Sequence, residues 1–114
     1  MSSVKDQIRI ATNALVGGLV TLANDTLPQG FGNNVNVQLT VTNNRTLTTT
    51  VPAAGNKCTL VVVTSGTNSF TITFGTGFKT TGTLATGTVS GKYFLINFFS
   101  DGTNLYELSR TTAI

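Results

Sequence analysis

The sequence predicts an all-β fold, either a small antiparallel β-sandwich or a jelly-roll-like barrel with an extended N-terminal arm. The 114-residue chain contains 23 Thr and 11 Asn together with 12 Gly. Thr and the other β-branched residues suit a pleated, half-buried strand, whereas Gly and Asn supply turns and interrupt helices. Apolar residues recur at every second position in several short segments, the period of a strand with one buried face. A chain of this length builds one core, and seven or eight short strands around it suit two packed sheets.

The first quarter of the chain is predicted to be separate from the β-body. The stretch Pro28-Gln29-Gly30 divides an arm, residues 1–30, from a body, residues 31–114. Apolar residues in the arm have partly helical spacing, but the Gly17-Gly18 pair among them weakens a helix by about 1 kcal/mol per glycine. An extended arm is therefore favoured, with a short helix as the alternative.

The body begins with a clear alternating segment. From Val35 to Val41 every second residue is apolar and the residues between are Asn, Gln or Thr, which predicts a strand with one wet face. A turn follows at residues 42–45. The more polar segment from Arg45 to Val51 predicts a weaker strand that ends at Pro52, because proline cannot donate to a ladder.

The next segment, Cys58 to Thr64, is apolar at nearly every position, as in a strand covered on both faces. Turn residues from Ser65 to Asn68 then predict a hairpin whose second arm places large side chains in the core. Those side chains belong to Phe70, Ile72 and Phe74. Glycines interrupt residues 75–91, where Leu84 and Val89 are predicted to anchor two short strands.

The final hairpin is the strongest local prediction. Two strand-like segments, residues 92–99 and 104–110, flank the dipeptide Asp101-Gly102. This dipeptide readily accepts the positive φ of a tight hairpin turn. The two segments are therefore predicted to pair antiparallel.

The residues that usually carry catalysis are scarce. The chain has no His and a single Cys, Cys58, so neither a His-activated nucleophile nor a common zinc site can be built within one chain. Of the four carboxylates, Asp101 is assigned to its turn and Glu107 to solvent or a salt bridge. We therefore expect no enzyme activity, no metal, no cofactor and no catalytic, metal-binding or cofactor-binding residues.

Charge and hydrophobicity also limit the partners. The formal charge is +3, but the seven Lys and Arg are scattered along the chain, whereas nucleic-acid binders cluster their cations. The apolar stretch at residues 14–23 is too short to span a bilayer and lacks the order of a signal peptide. We expect no nucleic-acid partner, no membrane association and synthesis in the cytoplasm.

The last two-fifths of the chain carries a recognisable sequence pattern. It runs from Phe70 through Phe-Gly-Thr-Gly-Phe-Lys-Thr-Thr-Gly-Thr-Leu-Ala-Thr-Gly to Gly91-Lys92, then Ser100-Asp101-Gly102-Thr103-Asn104 and Glu107-Leu108-Ser109-Arg110. In the order and spacing of its residues, this pattern resembles one that recurs in virion proteins of tailed phages. Those proteins include capsid decoration (cement) proteins and fibre modules. Many decoration proteins are similar in size, β-rich and trimeric, with an N-terminal arm.

The resemblance implies a decoration protein on the capsid exterior of a virion, made in the host cytoplasm. It would bind the major capsid protein as a homotrimer and stabilise contacts between capsid subunits. Its arm would add a strand to a capsid edge. The predicted contact residues are Ile8, Ile10, Leu15, Val16, Leu19 and Val20. The alternative is a receptor- or glycan-binding module of a tail or head fibre, in which polar loops and exposed aromatics bind host glycans.

Overall fold

The computed structural model describes residues 19–28 and 35–114, and within them every regular element is a β-strand. The strands form two sheets, which confirms the predicted all-β, two-sheet class. Their bounds are β1 Leu19–Thr21, β2 Thr26–Leu27, β3 Val35–Val41, β4 Arg45–Thr49, β5 Lys57–Thr64, β6 Thr71–Phe74, β7 Phe78–Lys79, β8 Leu84–Ala85, β9 Tyr93–Ser100 and β10 Leu105–Arg110.

Six strands form the larger sheet, in the order β1-β3-β5-β9-β10-β7, and four form the smaller, in the order β2-β4-β6-β8. The first six strands alternate between the two sheets. Each odd-numbered strand is followed by an even-numbered one in the other sheet, so β1 with β2, β3 with β4, and β5 with β6 make three successive coils. Within each sheet the coils pair in parallel, β1 on β3 on β5 and β2 on β4 on β6. The arrangement is solenoid-like, with each coil stacked on the one before.

This stacking changes the pairing that the sequence predicted. Five of the eight strand pairings among the described residues are parallel, whereas the predicted sandwich is antiparallel. The predicted hairpin between residues 58–64 and 70–74 is wrong, because β5 and β6 lie in different sheets. The turn between them, with Gly66 at a φ of +76°, takes the chain across to the other sheet instead of back along the same one.

The C-terminal third extends the large sheet with antiparallel strands. β9 pairs with β5 over seven residues, and β10 pairs with β9. The predicted final hairpin is confirmed. At its turn Gly102 has a φ of +90°, and the Asp101 carboxylate accepts the N–H groups of Thr103 and Asn104, both at 2.8 Å.

The core lies between the sheets and is formed by alternate residues of each strand. β3 shows this most simply, with Val35, Val37, Leu39 and Val41 all buried, as its alternation predicted. Ile72 is fully buried, and Phe70 and Phe74 pack partly buried against the core. Leu84 lies in a strand as predicted, but Val89 does not and is 56% exposed.

The predicted arm falls partly outside the described residues. The structure does not describe residues 1–18 and 29–34. Residues 19–28 are described, and they contribute β1 and β2, which pair with β3 and β4. The end of the predicted arm is therefore built into the two sheets as the first coil.

Candidate functional site

The first coil leaves one edge of the large sheet without a neighbour among the described residues, because β1 pairs only with β3. The Leu22 N–H donates to the Gln38 carbonyl at 2.8 Å, so Leu22 and Val20 direct their backbone groups toward β3. Successive residues of a strand present these groups to opposite edges. Leu19 and Thr21 therefore direct their N–H and C=O groups to the open edge.

Two of the six predicted contact residues lie on this edge strand. Leu19 faces outward, opposite Asn36, and is 55% exposed. Val20 is half-buried and lies opposite the buried Val37. The structure thus places one of the pair on the surface and the other toward the core. The remaining four, Ile8, Ile10, Leu15 and Val16, are outside the described residues.

The same end of the small sheet is held by polar contacts. Asp25 forms an ion pair with Arg45, whose Nε donates to the Asp25 carboxylate at 2.7 Å. The hydroxyls of Thr26 and Thr48 lie 3.2 Å apart, in register between β2 and β4. These contacts fasten the loop of the first coil to the second coil, and so hold β1 in position at the edge.

A second surface feature lies on the outer face of the large sheet. A groove of about 290 Å³ is centred where β10 leaves regular pairing with β9, at a β-bulge between Glu107 and Ser109. Bulges re-aim side chains and recur next to functional sites. The groove is lined by Lys57, Cys58, Thr59, Asn97, Phe98, Leu108 and Ser109.

Polar side chains cross this groove in one continuous row. Thr59 pairs with Asn97 across β5 and β9, and Asn97 pairs with Ser109 across β9 and β10. The Thr59 hydroxyl donates to the Asn97 Oδ1 at 2.9 Å, and the Asn97 Nδ2 donates to the Ser109 hydroxyl at 2.9 Å. We call these three residues the polar ladder. It fixes a hydroxyl, an amide and a second hydroxyl in sequence on three neighbouring strands.

The residues beside the polar ladder on this face are largely apolar or aromatic. One row away, Phe99 lies opposite Tyr106 in the pairing of β9 with β10. On the other side, Val61 lies opposite Leu95. Leu108, at the bulge, is 58% exposed. Apolar and aromatic residues of β9 and β10 therefore flank the ladder, whereas Asn36 on β3 and Lys57 on β5 add polar groups beside it.

The titratable groups near these surfaces have structural contacts. Burial raises the pKa of the Cys58 thiol to about 12, which keeps it neutral and unreactive. Hydrogen bonding from Arg110 lowers the pKa of Glu107. The N–H groups of Asn104 and Thr103 lower the pKa of Asp101. Asp101 thereby stabilises its turn, and Glu107 stabilises the C-terminal strand.

Residues 19–28 and 35–114 lack two other features that would indicate a function. Over these residues no group of three His, Cys, Asp or Glu side chains is placed to hold a metal ion. The same part of the chain contains no helix with the length and apolar character needed to cross a membrane.

The groove was not predicted from the sequence. Its only local signal is the placement of Thr59 and Asn97 in otherwise apolar strands, since Asn is depleted from strand interiors. That signal does not give the register that aligns Thr59, Asn97 and Ser109. The residue types around Leu108 also do not predict the bulge that turns its side chain outward.

Comparison with protein-family models, with curated proteins and with solved structures finds no match for this chain.

Proposed function

We propose that the protein is a capsid decoration protein of a tailed phage, which binds the major capsid protein on the outside of the virion and stabilises contacts between capsid subunits. The observation that carries the proposal is the open edge of the coil stack at β1, where Leu19 and Thr21 direct backbone groups away from β3. The resemblance of residues 70–110 to virion proteins supports the same role.

Binding at such an edge takes place by strand addition. A strand of the partner continues the large sheet, main-chain hydrogen bonds supply affinity and alternate side chains supply specificity. Each hydrogen bond contributes about 0.5–1.5 kcal/mol net, so three residues of β1 give a weak contact. Residues 8–16 of the predicted arm would extend it.

A homotrimer strengthens such a weak contact. Once one protomer is bound, the other two are held at high effective concentration near their own sites, which raises avidity without any new kind of contact. Decoration at a local three-fold axis of the capsid would use this effect. The proposed role is non-catalytic, supported by the structural contacts of Cys58, Asp101 and Glu107.

The open edge can be tested with Thr21→Pro. Proline removes the N–H that Thr21 directs to the open edge, while the Leu22 N–H that bonds to Gln38 remains. We expect the variant to fold and to lose at least about tenfold in co-sedimentation with purified capsids, since the loss is repeated in each protomer.

Thr21→Val is the matched control, because it keeps both the N–H and the β-branched shape. It should sediment with capsids like the unaltered protein. Equal binding of the proline and valine variants would show that the β1 edge does not contact the capsid.

A second candidate, a receptor- or glycan-binding module of a tail or head fibre, is favoured by the parallel stacking of β1 to β6. Coils stacked in this way can be continued along an axis, as a fibre requires. The two roles differ in copy number, because decoration needs hundreds of copies per particle and a fibre needs few. The intensity of this protein's band relative to the major capsid protein, in a stained gel of purified particles, separates them.

A further inference from the structure

The groove on the outer face of the large sheet has the dimensions and chemistry of a small ligand site. Its volume of about 290 Å³ lies just below the range of about 300–1,000 Å³ for small-molecule pockets, which suits a small ligand. It is built on β5, β9 and β10, with β9 paired to both of the others. Sites on paired strands hold their groups more rigidly than sites on loops.

The polar ladder limits the kind of ligand. Thr59 and Ser109 have hydroxyls, which both donate and accept, and the Asn97 amide also does both. The two internal hydrogen bonds, each 2.9 Å, fix these groups. Thr59 has used its only donor and can still accept, whereas Asn97 and Ser109 can each still donate and accept. The groove lining includes one cationic residue, Lys57, and no carboxylate. A ligand with several neighbouring hydroxyls matches this set better than a cation does.

The surroundings of the ladder match the apolar part of the same ligand. Leu108 lines the groove and is 58% exposed, and Tyr106, one row away, is 39% exposed. An apolar or aromatic surface beside a line of hydrogen-bonding groups suits a molecule with C–H faces and hydroxyl edges. A pyranose ring has both.

We propose that this groove binds a saccharide, with the polar ladder of Thr59, Asn97 and Ser109 contacting its hydroxyls and Leu108 contacting its ring. The site is separate from the open edge at β1. It stands whether the protein sits on a capsid or in a fibre.

The test is a titration of the full-length ¹⁵N-labelled protein, followed by amide NMR shifts. The probes are D-glucose, D-galactose, N-acetyl-D-glucosamine and L-rhamnose, each added to tens of millimolar. At least one probe is expected to shift the amides around Thr59, Asn97 and Ser109 with millimolar affinity, because a single ring engages few groups. The same spectra report whether each variant is folded.

Two valine substitutions of equal shape make the comparison specific. Thr59→Val removes one ladder hydroxyl and should weaken binding about three- to tenfold. Thr73→Val removes an exposed hydroxyl from β6, in the other sheet, and should leave binding unchanged. The proposal is overturned if no probe shifts the ladder amides, or if the two variants weaken binding equally. Neither outcome bears on the Thr21→Pro result, so failures of the two proposals are distinguishable.

Discussion

Glu107 and Arg110 form the most connected polar contact among the described residues of the C-terminal strand. The Arg110 Nη2 donates to the Glu107 carboxylate at 2.6 Å and to the Gly82 carbonyl at 3.0 Å. The Thr81 hydroxyl donates to the same carboxylate at 3.0 Å. The Arg110 guanidinium also lies 5.7 Å from the centre of the Phe74 ring, within cation–π range. The pair thus connects β10 both to the loop between β7 and β8 and to the smaller sheet.

This contact predicts a pH-dependent stability. The pKa of Glu107 is lower in the folded protein, chiefly through the hydrogen bond from Arg110. Its stabilisation is therefore present above the unfolded-state pKa of about 4.3 and is lost as the pH falls through the folded-state pKa. Glu107→Gln should lower the free energy of unfolding by on the order of 1–3 kcal/mol at pH 7, with a smaller difference at pH 3. Urea unfolding at both pH values measures this, and an equal difference at both would contradict the assignment.

Cys58 gives a direct check on burial. Because burial raises the pKa of its thiol to about 12 and only the thiolate is nucleophilic, the folded protein should not react with a thiol reagent at pH 8. The same reagent should react fully once the protein is unfolded in guanidinium. Rapid labelling of the folded protein would show that β5 does not lie in the core as described.

At the scale of elements, the sequence predicted which face of a strand is buried better than it predicted which strands pair. The alternation in residues 35–41 correctly gave the buried face of β3, because side-chain period depends only on the strand itself. Its neighbours were not predictable in the same way. Whether β5 continues into a hairpin or crosses to the other sheet depends on how the turn at residues 65–70 directs the chain, and similar turn residues serve both routes.

The final hairpin shows the opposite case. Asp101-Gly102 specifies its turn locally, through a positive φ at Gly102 and backbone hydrogen bonds accepted by the Asp101 carboxylate. The pairing of β9 with β10 therefore follows from nearby residues. The polar ladder needs three strands in register, and β5 lies nearly thirty residues before β9. Non-local register of this kind has no short sequence signal, which is why the groove was not predicted.

Parallel pairing of β3 with β5 can be tested by cross-linking. Gln38 and Val61 are direct partners on the outer face, at the strand spacing of about 4.8 Å, within the Cα separation that a disulfide spans. Gln38→Cys with Val61→Cys should form a disulfide under mild oxidation. Gln38→Cys with Val63→Cys is offset by two residues, at about 7–8 Å, and should not. A bridge in the second pair alone would show a different register.

On the scale of the whole molecule, the two ends of the coil stack differ. At one end, β9 and β10 add antiparallel strands to β5, and the two-residue β7 forms the edge beside β10. At the other, β1 leaves a parallel edge with no neighbour among the described residues. Exposed edges are sites of strand addition unless they are covered. The β1 edge offers three residues and the β7 edge only two, so we expect a partner strand to add at β1.

The reconstruction of an intact particle by electron cryomicroscopy tests this account most directly. Decoration through the β1 edge predicts many copies of the chain on the capsid exterior. In each copy, a strand of a neighbouring protein should be hydrogen-bonded to the backbone of Leu19 and Thr21. A particle in which the β1 edge faces solvent, with the chain held to the capsid through another surface, would contradict it.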